Sequence, residues 1–362
     1  MQLPLPLVSI VVTNHNYGRF LPAAVGSVRA QSYQATECIV VDDASTDDSS
    51  AVLAAIQAEW PDLVVIRRDQ NGGQGAACRA GFEASRGQYV VFMDADDLLS
   101  EDFVATHVYV HLSARSHPGL SSSDIYQVVD GRLVVCTGQA LNDHVMRDTA
   151  GPAGRYRPVP PAPAGPWTLD RPGPDVLDGL VHVPAGQLGW CWSPGTANMF
   201  RRDAVDLFVR SPELAGLTIC ADTFFCIAIG QRCGGVLIDR PLSVYNLHGE
   251  NRGTRHAQLA NVREMRTGSE LSDQIVPSLL EMYTRDAPAM VVRFWSLDTY
   301  WTVLEQIDAY LAVGGRRGTL DAAVARNRDA LATAVGDAVL SAWMRRRRLQ
   351  GFKRRWLRRK RR

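Results

Sequence analysis

The sequence predicts an α/β fold with a mostly parallel central sheet flanked by helices. Two observations carry this. Short apolar runs rich in Val and Ile recur through the first 95 or so residues, at strand length rather than helix length. A segment with helical spacing follows each of the earlier runs, and strand–helix alternation of this kind implies crossover connections and parallel pairing.

Val8-Ser9-Ile10-Val11-Val12 reads as the first strand and Thr13 to Asn16 as its loop, with a helix over 21–31. Glu37-Cys38-Ile39-Val40-Val41 is the second strand and ends in Asp42-Asp43-Ala44-Ser45-Thr46-Asp47. Ser45 or Thr46 is expected to cap the next helix, 48–59. Leu63 to Ile66 is the third strand. Asn71-Gly72-Gly73-Gln74-Gly75 is a glycine-rich turn that opens a helix through Ala84. That turn lacks the G-x-G-x-x-G spacing and follows the third strand, which excludes a dinucleotide fingerprint. The fourth strand is 88–93. Later, 236–238 and 243–245 read as short strands, and the pattern after about 258 is helical up to the C-terminal tail.

With 362 residues, 46% of them hydrophobic, the chain can bury a sizeable core. It holds no apolar run of about 18 residues, so no membrane-spanning helix is expected. The opening MQLPLPLVSIVV lacks a basic n-region and reads as a strand, not a signal peptide. Seven cysteines without a C-x-x-C pair fit scattered thiols in a reducing compartment. Eight prolines in 151–174 mark an irregular insertion.

The net charge of +1 conceals an asymmetry. Twelve of the 39 basic residues lie between Arg345 and Arg362, leaving 27 against 38 acidic residues, a body charge of −11. The tail sets Leu349, Phe352, Trp356 and Leu357 on one helical face among cations. A basic amphipathic helix of this kind fits an anionic membrane surface. No nucleic-acid recognition fold accompanies it, so nucleic acid is not expected as a partner.

The densest chemistry stands after the fourth strand. Asp94-Ala95-Asp96 sets carboxylates at i and i+2 at the carboxyl end of an apolar run, where ligands of open α/β sheets gather. Hard oxygen ligands there suit Mg²⁺ or Mn²⁺ and, through the ion, a diphosphate.

At this point the sequence resembles the family 2 glycosyltransferases of GT-A fold. The matching text is VSIVVTNHNYGRFLPAAVGSV, IVVDDASTDDS and NGGQGAACRAGFEASRGQYVVFMDADD, then NMFRR, Cys220-Ala221-Asp222 and PLSVYNLHGENRG. The resemblance divides the chain into a nucleotide-sugar half (1–118) and an acceptor half (119–255) that includes the Pro-rich insertion. A helical extension (256–344) and the basic tail (345–362) follow. It implies an inverting, metal-dependent sugar transfer from a nucleoside-diphosphate sugar, a UDP-sugar being favoured. The acceptor is a glycan or lipid-linked saccharide in cell-envelope polysaccharide synthesis, at the cytoplasmic face of the membrane.

The resemblance also implies roles. Asp42 and Asp43 bind the nucleoside base, with Thr13 and His15 facing it. Arg79 reaches toward the acidic cluster or diphosphate. Asp94 serves the ribose or metal shell, Asp96 ligates Mn²⁺ or Mg²⁺, and His248 completes that site. Asn251 and Arg252 stand near the phosphates, and Asp97 either orients the shell or, the favoured reading, caps the following helix. Asp222 is the base, although Ala221 replaces the acid that often precedes it. Apart from the resemblance, Trp190 and Trp192 read as core or, less often, as a platform for a sugar ring. Two other readings compete: a degenerate, membrane-associated binding protein, and a sugar-1-phosphate nucleotidyltransferase, whose N-terminal glycine-arginine loop with a downstream lysine is not matched by residues 8–20.

Overall fold

The computed structural model describes residues 3–138, 144–145, 174–251, 269–294 and 296–360. The expected Pro-rich insertion, apart from Pro174, and Arg252 lie outside these residues. The chain forms two compact units, Met1–Ser272 and Asp273–Arg362.

The first unit is built on one ten-stranded sheet. Its first half holds β1 (Val8–Asn14), β2 (Thr36–Asp42), β3 (Val64–Arg67) and β4 (Tyr89–Asp94), all parallel, in the order β3-β2-β1-β4. Helices α1 (Leu21–Arg29), α2 (Ser49–Glu59) and α3 (Gly73–Ala84) connect them. Val8, Ile10, Val11 and Val12 of β1 are fully buried, as are Val90, Val91 and Met93 of β4. Burial on both faces explains why these strands are continuous apolar runs rather than alternating ones. Each elements' bounds fall within a residue or two of the sequence expectation.

Beyond β4 the sheet turns mixed. A two-residue strand, β5 (Leu98–Leu99), precedes α4 (Phe103–Ser113) and β6 (Leu120–Val129), with β7 (Arg132–Val135) on its edge. The short helix α5 (Pro174–Asp178) leads to β8 (Leu180–Val183), and β9 (Asn198–Arg201) pairs antiparallel to both β4 and β6. After α6 (Arg202–Asp206) and α7 (Pro212–Ala215) comes α8 (Ala221–Cys233). The two short strands expected near 236 and 243 are one strand, β10 (Gly235–Leu247), parallel to β6 with register shifts around Pro241. Proline lacks the ladder donor, so the strand continues through it only by an irregularity.

α4 seals the seam between the halves. His107 and His111 are both buried, and each has a ring nitrogen within hydrogen-bond distance of Ser121 Oγ on β6, at 2.6 and 3.0 Å. Burial lowers the pKa of both, that of His111 to about 4.

The second unit is helical: after α9 (Ser269–Arg285) come α10 (Ala287–Val291), α11 (Leu297–Val313), α12 (Thr319–Arg326), α13 (Arg328–Val335) and α14 (Asp337–Lys360). The expected boundary at Arg345 falls inside α14. Trp343 stacks on Trp301 with centroids 4.2 Å apart and donates from Nε1 to Glu305. Arg347 pairs with Asp308 at 2.7 Å and Asp321 at 3.1 Å, with only 17% of its side chain exposed. One of the twelve tail cations is therefore part of the folded unit. Among the described residues, no helix is long and apolar enough to cross a membrane.

Candidate active site

The carboxyl ends of β1, β2 and β4 gather the first group of polar side chains. Asn14 Nδ2 donates to Asp42 Oδ1 at 3.0 Å, holding that buried carboxylate at the end of β2. The buried carboxylate of Asp43 accepts from the N–H groups of Gly72 and Gly73, at 3.1 and 2.8 Å, and pairs with Arg68. It thus caps the start of α3 from another loop, satisfying donors that a helix N-terminus leaves open. His15 bridges the same loops: Nδ1 meets the Asp43 carbonyl at 2.8 Å and Nε2 meets Asn71 Nδ2 at 2.9 Å. Those partners put the ring proton on Nδ1. Ala44 follows with φ 56°, a left-handed conformation that costs a non-glycine residue roughly 1 kcal/mol or more.

The second group surrounds the acidic triplet. Asp94 accepts from Thr13 Oγ1 at 3.3 Å and from Gln74 Nε2 at 2.8 Å. Asp96 Oδ2 lies 3.0 Å from His248 Nε2 and 3.1 Å from Asn251 Nδ2. The His248 ring sits between Tyr17 and Phe20, and its loop is clasped by the Arg19–Glu250 pair. Asp97 is buried and accepts from Thr196 Oγ1 at 2.6 Å and from the Asn246 N–H at 3.2 Å. Burial first, and then the Asp96 charge, push Asp94 and Asp97 above the usual carboxylate range.

Asp222 joins this cluster from the first turn of α8. Its Oδ2 accepts from the Gly195 N–H at 2.9 Å, and burial raises its pKa. Gly195 is squeezed between two carboxylates, since a Cβ there would lie 3.1 Å from Asp94 Oδ2. Cys220, just ahead of the helix, is left-handed at φ 62° and makes no side-chain cap.

The structure therefore brings Asp94, Asp96, Asp222, His248, Asn251 and Thr13 into one neighbourhood, with His15, Asp42 and Asp43 on its β2 side. Four sequence expectations require correction. Arg79 does not turn toward the cluster: it pairs with Glu83 one helical turn on, with 41% of its side chain exposed. Asp97 caps no helix, because β5 follows it and its carboxylate pins β10 and the Thr196 segment. Trp192 is 1% exposed and packs where Gly230 and Gly235 leave room for its ring, so it is core; Trp190, at 38%, remains accessible. Asp47, rather than Ser45 or Thr46, accepts from the Ser49 N–H at the start of α2.

Gln74, Thr196 and Gly195 were not singled out in the sequence. Gln74 had a signal, being the one long polar side chain inside a glycine-rich turn. Thr196 and Gly195 had none, because their role depends on a loop folding back across the sheet.

A parallel sheet carrying clustered carboxylates at its strand ends, completed by an antiparallel half that supplies one further acid, is the framework of a GT-A glycosyltransferase. Residues 9–113 match the model described as Glycosyl transferase family 2. The chain is 27% identical over 278 residues to an uncharacterized glycosyltransferase, alr2836, of a Nostoc species, covering 75% of each chain. The putative teichuronic acid biosynthesis glycosyltransferase TuaG of Bacillus subtilis is 33% identical over 97 residues, which is 27% of this chain and 38% of TuaG. Among solved structures, residues 1–349 of TarS from S. aureus align over 93% of this chain and 92% of that one, at 15% identity and a TM-score of 0.46.

Proposed function

We propose that the protein moves a sugar from a UDP-sugar to a hydroxyl of a glycan or lipid-linked acceptor, with inversion, in the assembly of a cell-envelope polysaccharide. The observation that carries this reading is the convergence of Asp94, the last residue of β4, and Asp96 just beyond it with Asp222 from α8, 126 or more residues away in the chain. The name of TuaG supports a polysaccharide product.

The residues present fit a divalent cation. Asp96 and His248 offer oxygen and imidazole nitrogen 3.0 Å apart, a donor pair that suits Mn²⁺. His248 Nδ1 is buried and has no hydrogen-bond partner. Among the described residues no three His, Cys, Asp or Glu side chains form a complete cage. Ions of this kind commonly take one or two carboxylates and fill the remaining positions from substrate phosphates and water. When bound, the ion would neutralise the leaving diphosphate.

The protein's own groups do the rest. Asp42, Asp43 and His15 border the nucleoside side, and Thr13 and Gln74 orient Asp94 toward the donor. Asp222 takes the acceptor's proton on the oxygen that Gly195 does not hold. The acceptor oxygen then bonds to the anomeric carbon from the face opposite the diphosphate, whose bond to that carbon breaks, and the configuration inverts. Trp190 offers an apolar face for an acceptor ring. The C-terminal half of α14, rich in Arg and Lys, docks on an anionic leaflet at the cytoplasmic membrane face, near a lipid-linked acceptor.

The test is release of nucleoside diphosphate from a panel of UDP-, GDP- and dTDP-sugars, with Mn²⁺ and with chelator. Chelator-sensitive turnover of a UDP-sugar is expected. Turnover of no donor with Mn²⁺ would refute the reading. Co-sedimentation with anionic vesicles of the full chain and of a chain ending at Leu349, which keeps the Arg347 anchor, tests the membrane step. Equal binding by both would remove it.

A further inference from the structure

We propose that Gln74 is a positioning residue that sets the base against the donor carboxylate during transfer. This rests on the assignment of Asp222 as the base.

Its two amide ends go to the two sides of the reaction. Nε2 donates to Asp94 Oδ1 at 2.8 Å, and Oε1 accepts from the Ala221 N–H at 2.9 Å, 147 residues away in sequence. That N–H is one of the open donors at the start of α8. The N-cap residue, Cys220, is left-handed and makes no side-chain cap. Gln74 therefore caps in trans the helix whose first turn carries Asp222. An amide is suited to this work because it donates at one end and accepts at the other; an ionised acid or an aliphatic side chain cannot do both.

The surrounding backbone is shaped to hold Gln74 there. The N–H groups of Gln74 and Gly75 donate to the carbonyls of Thr218 and Leu217, at 3.2 and 3.0 Å. The glycines on either side admit this approach. A Cβ at Gly73 would lie 2.5 Å from Thr218 Cα, and one at Gly75 would lie 1.9 Å from the Leu214 carbonyl oxygen. The glycine-rich turn is thus built for contact with the segment leading into α8, with Gln74 at the point of contact. Ala221 itself is buried, and its small side chain leaves the amide N–H open to Gln74.

The closing experiment uses the full chain with Mn²⁺. UDP affinity is measured by calorimetry, kcat with the UDP-sugar found in the donor panel, and Tm alongside. Gln74→Leu removes both amide bonds. It should lower kcat about 10- to 100-fold, the scale of a misplacement near 1 Å, while UDP affinity stays within about threefold. Gln74→Glu keeps the acceptor for Ala221 but sets a second carboxylate against Asp94. It should weaken UDP binding in addition, a split that a purely structural role would not produce. Unchanged kcat in Gln74→Leu beside an inactive Asp222→Asn would overturn the positioning role alone. So would losses of kcat and UDP affinity in Gln74→Leu that match. Full activity in Asp222→Asn would overturn the base assignment, and the positioning role with it. If Gln74→Leu does not fold, Gln74→Asn, shorter by one methylene, takes its place with the same expected split.

Discussion

The two halves of the catalytic unit hold their functional groups by different means. In the parallel half, residues 8 to 96, the carboxylates stand at or just past strand ends. Side chains of the same half, Thr13 and Asn14 of β1 and Arg68 after β3, hold them together with the Gly72 and Gly73 N–H groups. In the mixed half, main-chain groups and neutral side chains from distant segments do the holding: Gly195 for Asp222, and Thr196 with Asn246 for Asp97. Charge comes mainly from the first half and placement mainly from the second. A site of this kind is damaged in distinct ways from its two sides.

Removing a charge from the first half gives the largest effect. Asp96→Ala should abolish Mn²⁺-supported UDP binding, a loss beyond the roughly 10- to 100-fold typical of a supporting residue; calorimetry reads it directly. From the second half, Asp222→Asn should leave UDP affinity nearly unchanged and lower kcat by about 100- to 10,000-fold. Equal losses of binding and turnover would erase the distinction between the halves and remove Asp222 from the base role.

This contrast also explains what was legible in the sequence. The inner parallel strands β2 and β4 declare themselves because burial demands Val- and Ile-rich apolar runs, and their carboxylates follow at once. Asp222 and His248 were found through short motif patches. The supports of Asp222 and Asp97 were not: Gly195 and Thr196 are ordinary loop residues until β9 folds between β4 and β6. Arg79 misled because helical spacing does not say which face a side chain takes, and Glu83 at i+4 offered a nearer partner. Trp192 follows the commoner reading of a tryptophan as core, and the gap left by Gly230 and Gly235 decides it.

A third test lies where the halves meet. Thr196→Val removes the donor to buried Asp97 and the acceptor for the Asp94 N–H, and should destabilise the fold by about 1–3 kcal/mol in urea unfolding. The α4 seam adds a pH test. Unfolded histidine titrates near 6.5, whereas burial holds His111 near 4. Between these values the unfolded chain binds a proton that the folded chain refuses. The His111 contribution to stability is therefore lost progressively as pH falls from about 6.5 to 4. The stability of wild type relative to His111→Gln should decline over that window; a constant difference would count against a neutral, buried His111. The smallest effect is expected from Arg79→Ala, whose exposed pair with Glu83 should change stability by less than about 0.5 kcal/mol and leave kcat as it is.

The bond between Gln74 and Ala221 spans 147 residues, and Thr196 reaches Asp97 across 99. Contacts so distant along the chain close late in folding, because the loop entropy must be met before they form. A ribosome-bound chain that has released only β1 to β4 already displays its carboxylates, yet lacks Asp222, Thr196 and Gly195. Competence to transfer a sugar would then arise only once the catalytic unit is complete, so that the last contacts to form are also those that switch the enzyme on.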